Sequence, residues 1–150
     1  MARKGCRTVM SKTNNALDEH SITGERDTGI IAVHHFAIIV SSEASVEFYT
    51  QLGFKETYRR NRKYDTVVLL NGYGVQIEMF VDANHPDRAT SPENIGLRHL
   101  ALRVRTIEDT VDKLRSSGLA FEVGPIESDW VGERFCFITD PDGVPIELHE

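Results

Sequence analysis

The chain has 150 residues, with 17 Lys and Arg against 23 Asp and Glu for a formal net charge of −6; that length suits one compact domain, or two half-domains with a common core. An acidic balance without an extended basic stripe argues against nucleic acid as a main partner, and no run approaches the roughly 18 apolar residues of a membrane span, so a soluble protein with no membrane partner is expected. Two cysteines, Cys6 in a polar tail and Cys136 inside RFCFIT, give no disulfide framework and point to a reducing, cytoplasmic setting.

Residues 1–29 hold few large apolar side chains and mix Arg3, Lys4, Arg7, Lys12 and Arg26 with Asp18, Glu19, Glu25 and Asp27. This pattern reads as a flexible N-terminal extension. The acids speak against an organelle transit peptide, and the missing apolar stretch excludes a secretory signal. The folded domain is expected over residues 30–150, as modules 31–81 and 96–150.

The first module opens with a strand, IAVHHFAIIV, rich in apolar and β-branched residues. Ser41 or Ser42 can cap the helix that follows, in which Val46, Tyr49 and Leu52 recur every third residue. Gly53 supplies its left-handed stop. Strands are expected at FKETY, TVVLL and VQIEMF, with Asn71-Gly72 as the turn before the last. An irregular polar linker, VDANHPDRATSPENIG, then crosses to the second module.

The second module repeats the plan. LRHLALRV is its first strand, Thr106 with Asp109 forms a capping-box-like helix start, and Ile107, Val111 and Leu114 mark the buried stripe before the stop at Gly118. AFEVG, RFCFIT and PIELHE are the further strands, the last entered through the turn Asp140-Pro141-Asp142-Gly143. The repeat is in register: 43 residues separate His35 from Glu78, 48 separate His99 from Glu147, and 64 separate the two histidines. An internal repeat of this kind decides the fold class, an α+β arrangement of two βαβββ modules.

Strand parity selects the functional side chains. If Phe36, Ile38 and Val40 face a helix-covered core, His35, Ala37 and Ile39 face the other side, and His34 lies on the covered side with Arg98. In the second copy Leu100, Leu102 and Val104 form the apolar face, opposite His99, Ala101 and Arg103. Ile77 and Met79 flank Glu78 as Ile146 and Leu148 flank Glu147, so both carboxylates project onto the open face. A carboxylate withdrawn from water must be paired, protonated or metal-bound. Two imidazoles and two carboxylates around one divalent cation leave no net charge, and His35, Glu78, His99 and Glu147 are the expected metal set. His20, His85 and His149 are read as ordinary tail, linker and terminal histidines.

These motifs resemble the vicinal oxygen chelate superfamily, and within it the glyoxalase I (lactoylglutathione lyase) type. The resemblance covers residues 31–150 and rests on HHFAIIV, FYTQLGF, IEMF, GLRHLALRV and DPDGVPIELHE. It implies a cupped mixed sheet around one divalent metal ion, Ni, Co, Zn or Mn. It also implies a homodimer, with the metal site built either within one chain or from ligands of both subunits. The reaction it implies is proton transfer next to a metal-polarised carbonyl of a small-molecule substrate, such as the thiol hemithioacetal of a 2-oxoaldehyde. Glu147, ahead of Glu78, would serve as the catalytic base.

The glutathione type of that family has an Arg four residues after the first metal His and an Asn four after the first metal Glu. Here those places hold Ile39 and Asp82, and an Asp repels an anionic thiol peptide. Arg103, four residues after His99, is the compensating candidate for a substrate anion, and Trp130 in ESDWVGERF is a candidate to close over substrate. The cationic run YRRNRKY reads as a solvated hairpin. The alternative functions are small-molecule sequestration or thiol transfer in antibiotic resistance, and an Fe(II) dioxygenase.

Overall fold

The computed structural model describes residues 29–150. Val33–Glu150 form one compact unit. Cys6, His20 and the rest of the expected extension before residue 29 lie outside the described residues.

Two copies of one motif make up the compact unit. The first is β1 (Phe36–Val40), α1 (Glu43–Gln51), β2 (Lys55–Asn61), β3 (Thr66–Gly72) and β4 (Val75–Val81). The second is β5 (Leu100–Arg103), α2 (Ile107–Ser116), β6 (Glu127–Ser128), β7 (Arg134–Thr139) and β8 (Pro145–His149). Each forms a four-stranded mixed sheet, in the orders β1-β4-β3-β2 and β5-β8-β7-β6. In each, the first strand lies parallel to the last and the other pairings are antiparallel. The expected α+β repeat is therefore the architecture.

A single core spans both modules. Tyr49, Phe54, Leu70, Ile77 and Met79 of the first cluster with Ile107, Ile138, Ile146 and Leu148 of the second, each at most 1% exposed. Parity along the strands produces it: Phe36 and Ile38 pack against this cluster while Ala37 and Ile39 are exposed, and Leu100 and Leu102 pack while Ala101 and Arg103 are exposed.

Local chemistry departs from the sequence expectation at four places. The β3–β4 turn is Tyr73-Gly74 rather than Asn71-Gly72, because Gly72 still pairs with Val75. Both turn residues have positive φ, 53° and 78°, as the two-residue hairpin loop requires. Tyr73 is held there by its hydroxyl, which donates to the Leu52 carbonyl at 2.7 Å. AFEVG is not a strand. Only Val123 bridges to Ile138, and Pro125 just after it has no N–H to extend a ladder.

The helix entries are the other two differences. Ser42 and Thr106 occupy the N-cap positions but neither side chain caps. Carboxylates from the end of the second module bind beside both helix starts, and only Glu150 reaches a helix amide. Asp142 accepts from the Ser41 amide at 3.1 Å and from the buried Ser45 hydroxyl, and Glu150 accepts from the Ile107 amide at 2.8 Å. The DPDG turn thus ties the second module to the first helix. Beside it, Asp140 accepts from the Asp142 and Val144 amides and from the Tyr49 hydroxyl. Burial holds both the Asp140 carboxyl and the Tyr49 phenol above their ordinary pKa values.

Asp142→Ala leaves the buried Ser45 hydroxyl and the Ser41 amide without their acceptor and is expected to cost about 1–3 kcal/mol. Asp109→Ala, at the capping-box position that the fold does not use, should stay within about 0.5 kcal/mol. Urea unfolding of the two variants checks the contrast; equal losses would contradict it.

Candidate metal and substrate site

His35 and His99 each stand one residue before a sheet's first strand, and Glu78 and Glu147 each lie in its last strand. Because those strands run side by side in parallel register, with Ala37 beside Glu78 and Ala101 beside Glu147, each His meets the Glu of its own module. His35 Nε2 lies 3.2 Å from Glu78 Oε2, and His99 Nε2 lies 2.9 Å from Glu147 Oε2. The flanking Ile77, Met79, Ile146 and Leu148 are in the core. Glu147 is the more enclosed carboxylate, its side chain 13% exposed against 27% for Glu78.

These spacings suit neighbouring ligands of one cation. With metal–ligand bonds near 2.1 Å, adjacent ligand atoms stand about 3.0 Å apart in an octahedron and about 3.4 Å in a tetrahedron. The donor set also fits borderline divalent ions that accept mixed N/O ligation. Yet the two pairs do not converge within the chain. Among the described residues, the one group of three or more metal-capable side chains with ligand atoms all within 4.8 Å is a different one, Asp129, Glu133 and His149.

His149, expected as an ordinary terminal histidine, lies in that group. It shares the open face with Glu147, two residues before it on β8, and its Nε2 lies 3.6 Å from Glu147 Oε1 and 3.4 Å from Asp129 Oδ2. The signal was present in the sequence, since residues two apart on a strand share a face. His34 is corrected: it is exposed rather than helix-covered, with its Nδ1 2.7 Å from His35 Nδ1. Arg98 is likewise exposed and pairs with Glu93.

Aromatic side chains floor the second half-site. Phe137 meets the His99 ring edge-on at 5.3 Å, and Phe135 stacks on His149 at 6.2 Å with an interplanar angle of 13°. Arg103, on the open face as expected, pairs with Glu133 at 3.2 Å. Trp130 is 95% exposed. In the run YRRNRKY, Arg59 pairs with Glu43 and Glu56, and Arg62 pairs with Asp65.

Two cavities adjoin these residues. One of about 380 Å³ opens between β1 and β5, with Phe36, Ile38, Leu100, Arg88 and His99 among its lining. Another of about 400 Å³ joins Ile39 with Phe80, Asp65, Asp82 and His85. The Asn84 backbone amide holds the Asp82 carboxyl below the usual carboxylate range, and Arg62 does the same for Asp65. This pocket therefore contains two ionised carboxylates near neutral pH.

A family model described as the Glyoxalase/Bleomycin resistance protein/Dioxygenase superfamily matches residues 32–148. The uncharacterised protein YwkD of Bacillus subtilis (strain 168) is 44% identical over 126 residues, covering 79% of this chain and 96% of that protein. A lactoylglutathione lyase of Escherichia coli O157:H7 is 28% identical over 124 residues, covering 79% and 90%. Among solved structures, a glyoxalase family protein from Enterococcus faecalis superposes with a TM-score of 0.72 at 35% identity, covering 79% of this chain and 97% of that one. The fosfomycin resistance protein FosX from Listeria monocytogenes shares the fold, with a TM-score of 0.61 at 16% identity and coverage of 80% and 91%.

The face assignment has a direct test. Leu148→Ala should cost about 2–5 kcal/mol as a core truncation, whereas its neighbour Glu147→Ala, on the open face, should cost less than about 1.5 kcal/mol. Chemical denaturation of both variants measures this, and a larger loss at Glu147 would reverse the assignment.

Proposed function

The chain belongs to the glyoxalase/bleomycin resistance protein/dioxygenase superfamily over residues 32–148, and from that premise we infer that it is a metal-dependent lyase or isomerase of the glyoxalase I type. The observation that carries this is the paired geometry, a His and a Glu within one ligand spacing of each other on the open face of each sheet. His35, Glu78, His99 and Glu147 would hold the cation, which when bound supplies a Lewis acid for a substrate carbonyl.

Within this reading the chain's own residues have distinct tasks. Glu147 is the better placed base: it is the more enclosed carboxylate, and its aromatic surroundings keep water from competing for a proton. Glu78 is the second candidate for the same task, and whichever carboxylate takes the proton returns it to the neighbouring carbon. Arg103 is the candidate anchor for a substrate anion, at the cost of loosening its exposed pair with Glu133. Trp130 is the candidate to fold over bound substrate.

Homodimerisation accounts for the separation of the two half-sites. β1 and β5 are the outer strands of their sheets, and Ile39, Ile95 and Leu97 are exposed apolar residues. Under a two-fold axis, the His35–Glu78 pair of one protomer would meet the His99–Glu147 pair of the other and complete a four-ligand site. The substrate is a small molecule with adjacent oxygens, such as a thiol adduct of a 2-oxoaldehyde. The ionised Asp82 in the pocket beside Ile39, where Asp65 is already paired with Arg62, argues against a doubly anionic thiol peptide. The second reading is a thiol transferase or binding protein for a small drug-like molecule, which suits the fold shared with the fosfomycin resistance protein FosX.

Protein purified without an affinity-metal column is expected to contain about one Ni, Co, Zn or Mn per chain at His35, Glu78, His99 and Glu147, with at least about a tenfold loss of affinity for that metal in Glu78→Gln. Elemental analysis reads this out. Methylglyoxal turnover with a panel of thiols should fall by about a hundredfold or more in Glu147→Gln. Full turnover in both variants would contradict the assignment, and stoichiometric iron with oxygen consumption would favour the dioxygenase chemistry instead.

A further inference from the structure

His35 has two ring nitrogens, and each has its own neighbour. Nε2 lies 3.2 Å from Glu78 Oε2, on the side assigned to the cation. Nδ1 lies 2.7 Å from Nδ1 of His34, the residue before it in the chain, and the two rings meet edge to face at an interplanar angle of 80°. A neutral imidazole has one N–H and one lone pair, so between two neutral rings one nitrogen donates and the other accepts. The direction of that bond decides what His35 can do at Nε2.

When His34 donates, His35 carries its own proton on Nε2 and gives it to the Glu78 carboxylate. A cation at Nε2 requires the reverse: the His35 proton sits on Nδ1 and must be accepted by His34. Imidazole suits both directions, because the same nitrogen can donate or accept, and each ring keeps one proton and its charge throughout. Metal-binding histidines hand their second N–H to a carboxylate, a backbone carbonyl or water; here a neighbouring imidazole stands in that place.

The second module has no such partner. The repeat interval puts Arg98 where His34 stands, a guanidinium has no acceptor, and Arg98 is turned to Glu93 at 2.9 Å. His99 is held instead by the edge-on Phe137 ring. Its side chain is 28% exposed against 37% for His35, so the more open of the two imidazoles is the one with a polar neighbour.

We propose that His34 is a positioning residue for the metal site, accepting the Nδ1–H of His35 and so holding it in the tautomer and ring orientation that offer Nε2 to a cation shared with Glu78. This rests on His35 and Glu78 being metal ligands. The pair is exposed and water can partly replace His34, so its effect belongs at the lower end of the range for such partners, about tenfold in affinity. Two substitutions separate the acceptor from the bulk. Phenylalanine keeps a ring without an acceptor, while the Oδ1 of asparagine is as many bonds from Cβ as the Nδ1 of histidine, and accepts.

Zinc affinity of the full chain, measured by competition with a chromophoric chelator, tests this. His34→Phe should bind zinc about tenfold more weakly than wild type, and His34→Asn within about threefold of it. Both should melt close to wild type, as exposed substitutions do. In the zinc-loaded chain, nitrogen-15 NMR should place the His35 proton on Nδ1, with a scalar coupling across the hydrogen bond to His34 Nδ1. Wild-type affinity in His34→Phe, an equal loss in His34→Asn, or a zinc-loaded His35 protonated at Nε2 would each overturn the role of His34. Where zinc binding is also lost in His35→Phe and Glu78→Gln, the proposed function survives that result. Zinc binding unchanged in His35→Phe, or absent in wild type, would overturn both.

Discussion

The parallel pairing of the first and last strand within each sheet is the constraint on which the rest depends. It brings the residues just before the first strand alongside the last strand, so the His of one and the Glu of the other reach contact. The same alternation that turns these groups to the open face turns Ile77, Met79, Ile146 and Leu148 into the core. Stability and chemistry are therefore allotted to alternate residues of the same strands. A slip of one residue would bury both carboxylates and expose the core.

Ordering the repeat also depends on polar contacts between the modules. Asp142 fastens the turn of the second module to the entry of α1, and Asp140 next to it receives the Tyr49 hydroxyl from that helix. Both acids lie in the DPDG turn that leads into β8, the strand of Glu147 and His149. The loop that joins the modules mechanically thus also fixes the strand with the greatest density of candidate donors. Long-range hydrogen bonds of this kind give the open face a rigid backing, which preorganised sites need.

Much of this was legible in the sequence because it follows from periodicity. The two His–Glu intervals, the stops at Gly53 and Gly118 and the alternation around Glu78 and Glu147 are local patterns, and fold and face follow from them. The contacts at the helix starts were not legible, because Asp142 and Glu150 are distant in sequence from the amides they accept from, whereas Ser42 and Thr106 are adjacent and look adequate. The Tyr73-Gly74 turn was missed because Asn-Gly is the stronger local signal, and the pairing of Gly72 with Val75 overrides it. The place of His149 on the open face follows from its parity with Glu147 on β8. Separation of the two His–Glu pairs could not be read at all, since the repeat fixes each module internally and says nothing of how their open faces meet.

The central claim is that each sheet holds half of a metal site on its open face. Anomalous X-ray diffraction from crystals of the cobalt-loaded protein tests it most directly. The account predicts an anomalous peak in contact with His35 Nε2, Glu78, His99 Nε2 and Glu147, the two pairs supplied by different protomers. Cobalt absent from both His–Glu pairs, in crystals that bind it elsewhere, would contradict the account.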